Sequence, residues 1–94
     1  MRLALRAAAE RDLDGVFDYS VATHGVASAE RYMRDLQAAM DRLLDYPELG
    51  RETGIRAGLR AYGQREHRIY YRVEGDKIAI VRILHKAMDI ERHL

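Results

Sequence analysis

Cysteine is absent from the 94 residues. That excludes disulfides, iron–sulfur clusters, cysteine-ligated zinc and a thiol nucleophile, and it leaves the redox compartment open. Long apolar runs are missing as well. No stretch approaches the roughly 20 residues that a membrane-spanning helix needs. The opening segment, Met1 to Arg6, lacks the apolar centre of a secretory signal, so the expected location is the cytoplasm. The glycines form no phosphate-cradling motif. Gly50, Gly54 and Gly58 recur at every fourth position, but Arg51, Glu52 and Arg56 between them mark a surface loop rather than membrane helix packing. No repeat or low-complexity segment is evident.

What remains is ordinary for a soluble globular protein, with 48% apolar and 33% charged residues. The length fits one domain over residues 1–94, with one core and no room for a separate cofactor-binding unit. No cofactor is expected. The net charge of +1 is unevenly spread: residues 1–50 hold 6 Lys/Arg against 9 Asp/Glu, and residues 51–94 hold 10 against 6. A basic second half can meet an acidic partner or nucleic acid, although an excess this small is usually a solvated arginine face.

The periodicity changes along the chain. Leu3 and Leu5 alternate in Arg2–Arg6 and predict a short strand. From Ala8, the positions Leu13, Val16, Phe17 and Val21 recur at helical spacing, and Gly25 suits the end of that helix. No Ser, Thr or Asp stands at the expected N-cap. A second helix is predicted over Ala27–Tyr46, with a stripe of Ala29, Tyr32, Met33, Leu36, Met40, Leu43 and Leu44, a Glu30–Arg34 pair on its polar face, and Pro47 as its terminator. The short connection implies an antiparallel helical hairpin.

Residues 47–58 are expected to be loop. Three strands follow, at Leu59–Tyr62, His67–Val73 and Lys77–His85, with the Glu74-Gly75-Asp76 turn joining the last two. The tail, Lys86–Leu94, is short. The order is therefore β-α-α-β-β-β, an α+β fold with a helical hairpin packed on a small, largely antiparallel sheet. The final strand is apolar on both faces. Strict alternation puts Ile78, Ile80 and Leu84 on one side and Ala79, Val81 and Ile83 on the other, so one set should form an exposed patch that marks a partner site.

Several constellations invite chemistry. His85, Asp89 and His93 share one face if the tail is helical, as zinc or iron ligands would. In a short terminal segment such spacing arises readily by chance, and no metal is expected. His67, Arg68, Arg72, Arg82 and His85 lie on neighbouring strands and could cleave RNA, with histidine moving protons and arginine holding phosphate. Alternation separates His67 from Arg68, however, and arginine stems commonly just cover a sheet face. Tyr70 and Tyr71 must point to opposite sides, which leaves one of them as a partner contact or a stacking platform. No basic–aromatic stripe of the RNA-recognition type is present, so no sequence-specific nucleic-acid binding is expected.

The sequence resembles the ParE branch of the ParE/RelE family of toxins. The resemblance rests on Ala9-x2-Asp12-Leu13 with Tyr19, on Ala29-x2-Tyr32-x3-Leu36, and on Pro47-x2-Gly50. It rests most strongly on His67-x2-Tyr70-Tyr71-Arg72, Val81-Arg82-Ile83-Leu84-His85 and Met88-Asp89-x2-Arg92-His93-Leu94. It spans nearly the whole chain. It implies a toxin of a type II toxin–antitoxin pair that is neutralised by a ParD-like antitoxin and directed at DNA gyrase, with no catalytic group of its own. The alternative is ribosome-dependent mRNA cleavage of the RelE type, carried by His67, Arg68, Arg82 and His85. Antitoxin contacts are expected at Tyr70, Tyr71, Ile80, Arg82 and Leu84, with Arg82 as a charged anchor beside an edge strand that accepts an extended peptide. Target contacts are expected at His85, Met88, Asp89 and Arg92.

Overall fold

A computed structural model describes all 94 residues. Strand β1 (Arg2–Leu5) leads directly into helix α1 (Ala7–His24), and helix α2 (Val26–Asp45) follows. Short strand β2 (Arg51–Glu52) precedes β3 (Arg60–Gln64), β4 (His67–Glu74) and β5 (Lys77–His85), and a single 3-10 turn (Ile90–Arg92) ends the fold. The two helices cover one face of a mixed five-stranded sheet ordered β1-β5-β4-β3-β2. β1 runs parallel to β5, and the other pairs are antiparallel. The expected order is therefore present, with one added two-residue strand inside the segment expected to be loop. No helix is long and apolar enough to cross a membrane.

The missing N-cap of α1 has a physical explanation. Arg6 stands at the cap position without a side-chain bond, and its own N–H instead continues the sheet by donating to Ile80 O at 3.0 Å. One residue, Gly25, separates the two helices. Its φ of 88° and ψ of 164° lie where only glycine rests without strain, so the chain reverses in a single step. Pro47 follows the end of α2 as expected, and Tyr71 closes the connection behind it. The Tyr71 hydroxyl donates to Pro47 O at 2.7 Å and accepts from Gly50 N–H at 2.8 Å. A side chain at position 50 would collide with that phenol ring, because an added Cβ would stand 2.7 Å from it.

The helix-side core joins Ala9, Val16, Leu36, Ala39, Met40 and Leu43 to Ile69, Tyr71, Ile78, Ile80 and Ile83. Ile83 belongs there because of a β-bulge. Tyr70 pairs with Arg82 and Tyr71 with Ile80, which leaves Val81 as the extra residue. The bulge reverses the alternation beyond it, so Ile83 turns inward and Leu84 outward, opposite to the expected sides. Nor is the outer face an open patch. Leu59 and the tail residue Ile90 close over Tyr70, Val81 and Leu84 in a second cluster. A sheet apolar on both faces is thus covered on one side by helices and on the other by its own loop and tail.

Candidate functional site

The residues expected to contact an antitoxin are mostly interior. Tyr71 and Ile80 are 0% exposed, Tyr70 is 3% and Leu84 is 4%, so none of these side chains is free to meet a partner. Arg82 is also engaged within the chain. Its guanidinium grips Asp12 of α1 in a two-pronged pair, Nε to Oδ2 at 2.7 Å and Nη2 to Oδ1 at 2.9 Å. It also donates to the carbonyl of His93. Hydrogen bonding to Asp12 raises the Arg82 pKa above its ordinary value, against a smaller opposing effect of burial.

The reason lies in the sheet. β1 ends at Leu5, so β5 beyond Ile80 has no strand on that edge, and Asp12 Oδ2 accepts the free Ile83 N–H at 2.9 Å. Arg82 then balances the carboxylate that serves this edge. Asp12 carries a structural role that only its place in the first-helix motif could have signalled.

The residues expected to contact the target lie on the surface. Met88 is exposed, Asp89 caps the 3-10 turn by accepting from Glu91 N–H at 3.0 Å, and Arg92 stands 3.9 Å from Asp89 at the solvent boundary. The tail is a turn followed by a 3-10 segment rather than an α-helix, so His85, Asp89 and His93 do not share a helical face. No three His, Asp or Glu side chains come together at ligand spacing.

Of the four residues a nuclease would use, the structure unites two. His67 opens β4 and His85 closes β5, and the pair stand opposite each other with rings edge-to-face at 5.7 Å. Arg68 faces the other side of the sheet, and Arg82 is held at Asp12. Both histidines line an open cleft of about 1130 Å³ where the C-terminal end of α1 and the first turns of α2 overhang the β3–β4 turn. Most of the residues that line it are polar or charged.

Two residues outside the expected site sets, Tyr32 and Arg65, organise this cleft. The Tyr32 hydroxyl lies 3.0 Å from Gln64 O and 2.7 Å from His67 Nδ1. A carbonyl only accepts, so the single phenolic proton goes to Gln64 and Nδ1–H of His67 donates to the phenol oxygen. This arrangement, assigned from the hydrogen-bond network, leaves Nε2 of His67 with a free lone pair. Burial lowers the His67 pKa and the neighbouring His85 lowers it further, with Glu66 opposing. Burial likewise raises the Tyr32 pKa, partly offset by Arg65. His85 is fixed in the other tautomer. Its Nδ1 accepts Ala87 N–H at 3.0 Å, so Nε2 carries the proton and faces Glu66 at 3.6 Å.

Arg65 sits at the β3–β4 turn with a left-handed φ of 51°, unusual for a residue with a side chain. It lies over the Tyr32 ring and 3.4 Å from Asp35. Tyr32 is visible in the sequence as part of the second-helix motif, but its partner lies 35 residues away.

This helical hairpin on a mixed sheet is the arrangement that the family resemblance implies, and the comparisons agree. The family model described as "ParE toxin of type II toxin-antitoxin system, parDE" matches residues 3–90. Toxin ParE1 of Mycobacterium tuberculosis is 40% identical over 95 residues, covering 99% of this chain and 97% of that protein. Toxin ParE1 of Caulobacter vibrioides is 38% identical, covering 99% and 95%. A solved structure of the chromosomal ParDE TA system from P. aeruginosa superimposes with a TM-score of 0.81 at 26% identity, covering 90% of this chain and 95% of that one. The chain belongs to the ParE toxin family.

Proposed function

We propose that this toxin arrests growth by binding DNA gyrase without chemistry of its own, and that a ParD-like antitoxin holds it inactive. The observation that carries the binding reading is the dispersal of the groups a nuclease would need. Arg68 faces away from His67, and Arg82 is committed to Asp12. The exposed tail supports target contact through Met88, Asp89 and Arg92, beside His85 at the rim of the cleft. Strand β1 supports antitoxin contact, because its outer edge has no neighbour and can accept an added strand.

The test is a supercoiling assay with purified toxin and gyrase. Supercoiling should fall, or cleaved DNA should accumulate, and added antitoxin should reverse the effect. Full supercoiling at large toxin excess sinks the gyrase reading. The paired histidines in a basic cleft favour one alternative, mRNA cleavage of the RelE type. Mapping transcript ends after induction separates the two: codon-linked cuts support cleavage, and a DNA-damage response with intact transcripts supports gyrase.

A further inference from the structure

Apart from His85 at its rim, the cleft around His67 has no role in the gyrase reading, yet it is an open concavity of about 1130 Å³. Its charges are unevenly matched. Arg65 pairs with Asp35, and Lys86 pairs with Glu66 at 3.4 Å. Arg31 and Arg34 have no carboxylate within 4.0 Å. Arg34 was expected to pair with Glu30 one helical turn away, but it lines the cleft instead, and Arg31 donates only to the Ser28 hydroxyl. Two uncompensated guanidinium groups therefore stand on one wall. On the opposite wall is the lone pair of His67 Nε2, an acceptor fixed by Tyr32.

Cations beside a neutral acceptor select a ligand that carries an anion next to a hydrogen-bond donor. An acidic peptide offers this in every Asp or Glu, with the carboxylate beside the backbone N–H. A nucleotide offers it too, through phosphate and ribose hydroxyl, but nucleic acid also needs a face on which to stack its bases. The Tyr32 ring is already covered by Arg65 and the His67 ring is met edge-on by His85, which leaves Tyr19 as the one exposed tyrosine in the cleft rather than a series of open rings. The cleft is also larger and more open than the roughly 300–1,000 Å³ pockets that enclose small molecules. These features favour a length of chain over a nucleotide.

We infer that the cleft walled by Arg31, Arg34 and His67 receives an acidic, extended segment of the antitoxin. This rests on the antitoxin reading above and adds to the free edge of β1 a second contact, in a polar cleft at the hairpin end. Carboxylates of the segment meet Arg31 and Arg34, and a backbone N–H donates to His67 Nε2.

The experiment uses the full-length toxin and the ParD-like antitoxin that restores growth when the two are co-expressed. Affinity is measured calorimetrically for wild type and for the Arg31→Glu/Arg34→Glu variant, and the His67 imidazole resonances are followed during titration. Wild type should bind with a clear shift at His67. The variant should bind at least tenfold more weakly, lose much of the salt dependence, and still inhibit gyrase, which shows that it is folded.

Equal affinity for wild type and variant, with His67 unmoved, overturns the cleft assignment and leaves antitoxin binding intact elsewhere. Absence of wild-type binding overturns both readings. A single-stranded RNA oligomer that displaces the antitoxin and produces the His67 shift by itself overturns the peptide assignment in favour of RNA.

Discussion

Individual side chains in this toxin act as joints between distant parts of the chain. Tyr71 is the clearest, with its ring in the core and its hydroxyl holding both Pro47 and Gly50. Tyr71→Phe keeps the ring but leaves a carbonyl and an N–H without their partner. The expected loss is about 1–3 kcal/mol, the range for an orphaned buried polar group, read from urea unfolding with an unchanged slope. The letters Pro47-x2-Gly50 and Tyr71 were both visible in the sequence. That they form one unit was not, because the hydroxyl reaches 24 residues back to its carbonyl.

His67 gives a pH-dependent counterpart. Its folded pKa lies below the ordinary 6.5, through burial first and His85 second. The unfolded chain therefore takes up a proton that the folded chain resists. Stability is fully retained above about pH 6.5 and falls as the pH drops from there through the lowered folded value. The groups facing the ring are Tyr32, His85 and Glu66. Thermal melts between about pH 7.5 and pH 5.5 should slope downward with acid in wild type and flatten in His67→Gln. A parallel slope in the variant assigns the effect to another group.

At the scale of elements, the sheet shows where reading by pattern succeeds and where it stops. Both helices, their stripes and the three later strands follow from spacing alone. Three details do not. The bulge at Val81 changes which side Ile83 and Leu84 take, and strict period two cannot reveal it. The closure of the outer face by Leu59 and Ile90 depends on segments without periodicity. The Asp12–Arg82 pair spans 70 residues, and the composition of either segment gives no hint of it.

That pair also stands in for a missing strand, since Asp12 serves both Arg82 and the backbone of Ile83. Asp12→Ala removes three hydrogen bonds at once and leaves a half-buried guanidinium without its anion. The expected cost is about 3 kcal/mol, at the low end for breaking a buried pair because the site is partly open to water. Arg82→Ala should also lower the melting temperature, and the double variant should cost less than the two single changes added together. Strict additivity in that cycle shows the pair to be energetically uncoupled.

For the molecule as a whole, the order of strands in space differs from their order in synthesis. β5 lies between β1 and β4, and Arg2 pairs with Lys77 across almost the entire sequence. The first strand emerges from the ribosome with nothing to pair against. The hairpin of α1 and α2 likewise has no sheet to cover until Lys77–His85 arrives, and the outer cluster closes only with Ile90. Contacts at such separation form late and slowly. A chain ending at Glu74 should therefore show no cooperative unfolding transition and should not arrest growth when induced, and a cooperative melt from that fragment refutes the point. The expected consequence in a cell is that translation interrupted before Lys77, or removal of β5 by a protease, yields polypeptide that does not arrest growth.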